Sequence, residues 1–415
     1  MTTKRTVFKD GNFRWLWAGQ TISVLGDQFS GLALSVLAVT SLGATEWQMG
    51  ILNASSTASF LLVGLVAGAW VDRWVKRSVM LIADAIRSLT LITIPVFWWF
   101  HMLTIQQLFV VSAIMGLAAV FFDVASQSLV PLLFKDDQIG AANGAMETST
   151  QVSHVGGPSL AGILLGVLQA PFLVLFDAFS YAFSSLTLLR VKSHEVPTPK
   201  TNRQPLRTEI GEGLRFVYNQ KIIRTIATCT SGTNFFSSMI FTLMPLFVLR
   251  TLGIPAAAFG VMMSVGAIGG LLGAAFTARL IKFMGEGPLI VLSAVISGLA
   301  MCLIPAAGAI PREFAIPLLV VTEFLFSFSV LTYNITQVTA RQRLCPPQLL
   351  GRMNASIRFF VWGVMPLGGL LAGYLGSTFG ALPTMWIGGA GSLLASGLVL
   401  FSPLRTMREI PSHAE

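Results

Sequence analysis

The chain has 415 residues, 54% of them hydrophobic and only 11% charged, whereas an ordinary soluble domain carries about 25% charged residues. With a mean hydropathy of +0.74, soluble enzymes, nucleic-acid binders and disordered chains are set aside as classes, and an integral membrane protein is expected. The net charge is +9, and where those charges sit decides what they serve.

Taken in chain order, Met1–Asn12 is polar and lacks the short apolar core and small-residue cleavage site of a secretion signal, so the first apolar run is expected to stay in the working protein. A bilayer-spanning helix needs about 20 mostly apolar residues. Such runs fall at 13–40, 48–70, 78–100, 105–133, 143–168 and 171–190, then at 222–249, 257–278, 287–308, 314–340, 354–376 and 382–403. Between the two sets, 191–221 holds Pro197, Pro199, Pro205 and many charges, so it reads as a linker. The end of that linker, Glu209–Tyr218, can form an amphipathic surface helix. The expected fold is an all-α integral membrane protein of twelve transmembrane helices: a six-helix half over 1–190, a cytoplasmic linker over 191–221 and a second six-helix half over 222–415.

Orientation follows from the basic residues. With the N-terminus inside, only Arg250 and Arg312 of the 27 Lys and Arg fall in outward connections, and Arg87 and Arg358 lie within spans. The remaining 23 sit in inward loops, at their edges or in the tails. The excess of positive charge is thus topological and no nucleic-acid partner is expected; both termini are placed in the cytoplasm. Cys229, Cys302 and Cys345 have no metal-ligand spacing, and His101, His154, His194 and His413 are scattered, so no metal or other cofactor is expected. No Gly-Lys pair occurs, which removes a phosphate-binding loop. The chain does not read as an enzyme.

The sequence repeats itself. Gly140-Ala-Ala-Asn143 returns 211 residues later as Gly351-Arg-Met-Asn354, and Gly157, Leu160, Ala161 and Gly162 return as Gly368, Leu371, Ala372 and Gly373. Ser41-Leu-Gly corresponds to Thr251-Leu-Gly, and 64–76 resembles 270–282. A duplicated six-helix unit places a substrate site where the halves meet in many transporters.

Two motifs narrow this further. After the second span the chain reads Gly68-Ala-Trp-Val-Asp72-Arg73-Trp-Val-Lys76-Arg77, which resembles the G-x-x-x-D-R-x-G-R-R signature of the major facilitator superfamily, departing at Val75 and Lys76. Span five carries Gly156-Gly157-Pro158-Ser-Leu-Ala161-Gly162, similar to the superfamily's antiporter signature, with Ala161 for one Gly. Phe13-Arg-Trp-Leu-Trp-Ala-Gly19-Gln20, Asp123-Val-Ala-Ser-Gln127 and Leu350-Gly-Arg-Met-Asn354 resemble the branch of macrolide-efflux pumps and the enterobactin exporter. The resemblance implies the major facilitator fold and a conformational latch of Gly68, Asp72, Arg73, Lys76 and Arg77 that closes the cytoplasmic side in one state only. Asp84 and Arg87, just after the loop, read as an ion-pair extension of it. Gly157, Pro158 and Gly162 form a helix-kink motif, because Pro removes a backbone donor and small residues allow tight packing.

A charge at mid-membrane costs roughly 2.5–3.5 kcal/mol on insertion scales, so intramembrane acids need a reason to be there. Glu147, Gln151, His154 and Pro158 share one helix face, and the repeat sets Arg358 opposite Glu147. The two could pair across a cavity, or each could be buried separately at its own helix end. Asp27 shares a face with Gln20, Ser23 and Ser30; Asp123 is followed one turn on by Gln127; and Glu323 shares a face with Ser327. Glu147, Asp27, Asp123 and Glu323 are the proton-coupling candidates. Gln20, Gln127, Gln151, His154, Asn234, Phe235, Asn334, Gln337, Arg358 and Trp362 are the substrate-cavity candidates. Asp177, six residues into its span, reads as a structural or solvated residue near the outer surface.

The expected function is secondary active export of amphiphilic, drug- or macrolide-like small molecules by proton antiport, from a monomer in the bacterial cytoplasmic membrane. Export of a siderophore or lipid-like metabolite is the alternative, favoured if Arg358 dominates the cavity. A non-transporting receptor is a distant third reading.

Overall fold

In a computed structural model the described residues are 7–71, 73–134, 136–193, 206–346 and 349–411. The helices are α1 (Gly11–Val36), α2 (Glu46–Val71), α3 (Lys76–Trp99), α4 (Ile105–Leu133), α5 (Asp136–Leu165), α6 (Ala170–Arg190) and α7 (Leu206–Asn219). They continue as α8 (Lys221–Leu246), α9 (Ala256–Met284), α10 (Glu286–Ala306), α11 (Arg312–Leu344), α12 (Leu350–Gly363), α13 (Met365–Phe379) and α14 (Ala381–Leu400). Among the described residues, ten segments are long and apolar enough to cross a membrane. The other two expected spans are α2 and α5, with 26 and 30 residues.

Local chemistry sets many of the ends. Asp10 caps α1, accepting from the amides of Asn12 at 2.7 Å and Phe13 at 3.4 Å. α1 widens into a π-turn over Leu37–Ser41, closed by Leu42 N donating to Leu37 O at 3.0 Å. Gly43 then takes a φ of +61°, which suits a residue without Cβ. α8 ends the same way: a π-turn over Phe247–Thr251, Leu252 N to Phe247 O at 2.9 Å, and Gly253 at φ +62°. The Ser-Leu-Gly and Thr-Leu-Gly repeat is one turn built twice.

The chain forms two compact units, one of Met1–Ala44, Ser55–Lys200 and Ile254–Ser264, the other of Thr45–Ala54, Thr201–Gly253 and Val265–Glu415. In the first, α6 packs on α1 and α3, α4 on α3, and α5 on α1. In the second, α14 packs on α8 and α10, α11 on α10, and α13 on α8. The pairings are those of the first unit displaced by one repeat.

Glycines permit the closest approaches. In the first unit a Cβ on Gly260 would lie 2.2 Å from Pro158 O, and one on Gly162 would lie 2.9 Å from Ala256 O. In the second, a Cβ on Gly50 would lie 2.8 Å from both Gly369 O and the Gly373 Cα. α5 runs through Pro158 as one α-helix, and Gly162 and Pro158 seat the start of α9 against it.

The eleventh expected span, 354–376, is instead two helices. α12 stops at Gly363, and α13 starts with Pro366 in its first turn, where a missing N–H costs nothing. The amphipathic helix expected at Glu209–Tyr218 is α7, which packs on α12; there Glu212 pairs with Arg352. At the chain's end, the amides of Glu286 and Gly287 donate to Arg408 O at 2.9 Å and Met407 O at 3.0 Å. Glu286 also pairs with Arg343 and accepts from Ile410 N at 3.2 Å.

Candidate functional site

The first unit holds a nest of ionisable groups between α1, α3 and α6. On α1, Gly19, Ser23, Gly26 and Ser30 make one small-residue face, all buried. On α6, Asp177, Ser180, Ser184 and Thr187 face it, also buried. Gly26 admits the approach, since a Cβ there would lie 2.4 Å from both Asp177 Oδ1 and Ser180 Oγ. Asp177 is fully buried; Ser30 donates to its Oδ2 and Ser180 to its Oδ1. Of the two roles expected of it, structural or solvated, burial leaves the structural one.

The Tyr181 hydroxyl donates to Asp27 Oδ1. Arg87 comes in from α3, 5% exposed, its guanidinium 4.9 Å from the Phe122 ring centroid and 5.1 Å from that of Tyr181. It stands 3.7 Å from Asp84, whose fully buried carboxyl oxygens have no hydrogen-bond partner. Arg87 is also within electrostatic reach of Asp27 and Asp123, and Asp27 within that of His154. Asp84 and Arg87 thus point into the unit's interior. One guanidinium faces Asp27, Asp84 and Asp177; with all three ionised, two negative charges would lie uncompensated in an apolar interior.

Other candidates in this unit lie around the nest. Gln20 donates to Ser126 at 2.8 Å. Gln151 donates to Glu147 at 2.7 Å, and both Glu147 and His154 are exposed. Asp123 and Gln127 are exposed on α4. Gly157 seats the side chain of Gln28.

Of the latch residues, Gly68 lies in α2 and Asp72 lies outside the described residues. Arg73 is exposed and Lys76 buried at the start of α3. Arg77 donates from Nε to Leu188 O and from an Nη to Leu189 O, each at 2.8 Å. It thereby satisfies carbonyls at the C-terminal end of α6, where a cation is favoured. Trp70, in the last turn of α2, and Trp74, just after it, gather on Phe121, with centroids 6.2 Å apart.

The second unit holds a cavity of about 290 Å³ between α8, α10, α11 and the junction of α12 with α13. Thr230, Asn234, Ser237, Ser297, Tyr333 and Trp362 are in its wall, and none of the described residues lining it is charged. Three expected cavity residues meet here: Asn234, Asn334 and Trp362. Gln337 is buried behind them, its amide 3.5 Å from Asn334 Oδ1. Phe235 is not in the lining; its ring packs edge-on against Phe236. Arg358 is exposed on α12, also outside the lining. Glu323 is buried on α11, against the backbone position of Gly266.

Sequence reasoning singled out Asp177 without its partners and missed Tyr181 and Tyr333. The signal for the first was present: Asp177, Ser180, Ser184 and Thr187 form a polar stripe at helical spacing, matched to the small face of α1.

The repeated packing, the paired π-turns and the helices of membrane-crossing length define a transporter of the major facilitator class. Solved structures agree on the fold. A mutant of the nucleoside transporter NupG superposes with a TM-score of 0.77 at 17% identity, covering 94% of this chain and all of that one. A bacterial homologue of the iron transporter ferroportin does so with 0.75 at 15% identity, over 94% and 98%. The chain belongs to the family described as transmembrane secretion effector, which matches residues 2–415. Among relatives, the multidrug efflux pump Tap of Mycolicibacterium fortuitum is 26% identical over 363 residues, 85% of this chain and 86% of its own. Macrolide efflux protein A of Streptococcus pyogenes is 20% identical, over 96% and 97%.

Proposed function

We propose that the chain exports amphiphilic small molecules, of the drug or macrolide kind, in exchange for protons, with Asp27 carrying the proton. The observation that carries the proton reading is the nest around Arg87. Asp27 is tied to Tyr181, stands near Arg87 and His154, and shares the interior with two further carboxyls. Such a cluster changes its proton count when its surroundings change, because a carboxyl keeps its charge only while that charge is compensated. Glu147, exposed and paired with Gln151, is the second carrier, and Asp123 and Glu323 follow. The export reading draws on the two efflux relatives. The placement of both termini inside draws on the distribution of Lys and Arg, and that in a bacterial membrane on the two bacterial efflux relatives.

The test is transport in proteoliposomes. Asp27→Asn keeps the shape of the side chain but cannot titrate. It should abolish accumulation of an effluxed dye driven by a pH gradient while leaving dye exchange across the membrane, which needs no net proton movement. Undiminished gradient-driven accumulation in Asp27→Asn refutes Asp27 as carrier. The same result in an Asp27→Asn/Glu147→Gln variant refutes the pair.

A further inference from the structure

The two units carry opposite chemistry at the same place in the repeat. Gly43 and Gly253 close equivalent turns, which sets an offset of 210 residues between α1 and α8, and α3 and α10 begin at Lys76 and Glu286 on the same offset. On that register Gln20, Asp27, Asp84 and Arg87 map to Thr230, Ser237, Ala294 and Ser297. Between α5 and the α12–α13 pair the offset is 211, from Gly157 and Gly368, and there Gln151 and His154 map to Trp362 and Met365. All six of the mapped second-unit residues line the cavity. Where the first unit concentrates charge, the second has a hollow without any.

The hydroxyl protons of that hollow are mostly used up on the backbone. Thr233 donates to Cys229 O at 3.0 Å, Ser297 to Ala294 O at 2.8 Å and Ser238 to Met365 O at 2.8 Å. Thr230 donates to Ile226 O at 2.8 Å, so the contact of 2.8 Å with Tyr333 is made by the Tyr333 proton. Asn234 gives one of its two Nδ2 protons to Val361 O at 2.9 Å. The capacity these hydroxyls have left is as oxygen acceptors, with the Asn234, Asn334 and Ser237 side chains and the aromatic rings of Phe241, Phe326 and Trp362 beside them. A ligand that satisfies them brings O–H donors and an apolar face. A cation would meet no counter-charge here, in a protein interior where an unpaired charge is costly.

We propose that this cavity is a subsite for an uncharged, hydroxyl-bearing ring, such as the sugar of a glycoside, in the exported amphiphile. It rests on the reading of the chain as an exporter and divides the work between the units: proton handling in the first, neutral recognition in the second.

Two probes share a tail and differ in the head: octyl β-glucoside, neutral with four hydroxyls, and octyltrimethylammonium, cationic with no donor. Binding to the full chain in phosphatidylcholine nanodiscs is titrated by saturation-transfer NMR, with empty nanodiscs as reference and the melting temperature as the check on folding. Octyl β-glucoside should bind the wild type more tightly than octyltrimethylammonium. Thr233→Val/Ser297→Ala removes two acceptors with little change of shape and should weaken the glucoside by about tenfold, without moving the cation. Tighter binding of the cation by the wild type overturns the proposal. So does an unchanged glucoside affinity, or an equal loss for both probes, in a double variant that melts like the wild type. Glucoside binding by the wild type and the double variant is read without any pH gradient, and gradient-driven transport by Asp27→Asn without the glucoside, so failure of the proton reading and failure of the subsite register in separate measurements.

Discussion

Among the described residues, Arg87 is the one cation beside Asp27, Asp84 and Asp177, whose other partners are neutral hydroxyls, and that makes its loss costly. Breaking a buried charge cluster by removing its cation typically costs 3–5 kcal/mol, more than the pairing itself contributes. Arg87→Leu is therefore expected to lower stability by about that much. Asp84→Asn should cost about 1 kcal/mol or less, because an amide sheds a buried charge while still able to pair with a neighbouring hydroxyl such as that of Ser184. Thermal melting in detergent orders the two, and a larger loss for Asp84→Asn would contradict this account. Tyr181→Phe removes only the donor to Asp27. It should leave the fold intact and shift the pH dependence of gradient-driven transport, read as initial rates between pH 5.5 and 8.5; an unchanged profile would detach Tyr181 from coupling. At this scale the sequence shows Asp27 as an acid in mid-span but hides its partners. The polar stripe that Asp177 shares with Ser180, Ser184 and Thr187 was legible, but not that it meets Gly26 of another helix, on which its burial depends.

α5 offers a matched pair of glycines. Gly156 has open space where a Cβ would go, while at Gly162 a Cβ meets the carbonyls of Ala256 and Ala257 at 2.9 and 3.0 Å. Backbone cannot yield as a side-chain tip does. Gly162→Ala is expected to cost about 1–3 kcal/mol by overpacking, whereas Gly156→Ala should be neutral or stabilise by up to about 1 kcal/mol through helix propensity. Melting temperatures of the two variants check this, and equal effects would refute the seat at Gly162. The motif was legible as small-residue packing around Pro158, yet α5 is helical throughout. The helix that does break is the eleventh span, at Gly363 ahead of Pro366. Hydropathy runs straight through that point, because an apolar average does not register a change of backbone.

At the scale of the molecule, the repeat was the most readable feature, since a duplicated sequence needs no knowledge of contacts. The helices and their paired packing follow from it. The cavity was only partly legible: Asn234, Asn334 and Trp362 stand out as polar or aromatic residues in apolar runs, while Ser237 and Ser297 are too ordinary to notice. Orientation gives a further expectation. With native cysteines replaced by alanine, Ala309→Cys, exposed between α10 and α11, should react with an impermeant maleimide added to intact cells, and Gly211→Cys on α7 should not. The opposite pattern would invert the assignment of the termini.

The turn at Leu37–Ser41, rebuilt at Phe247–Thr251, also carries a date. A device present in both copies was in hand before the copy was made, so the turn belongs to the ancestral six-helix protein. Asp27 and Ser237 occupy one ancestral position and now differ in kind, so the division between a charged unit and a neutral one is the younger layer, acquired once two copies were free to specialise.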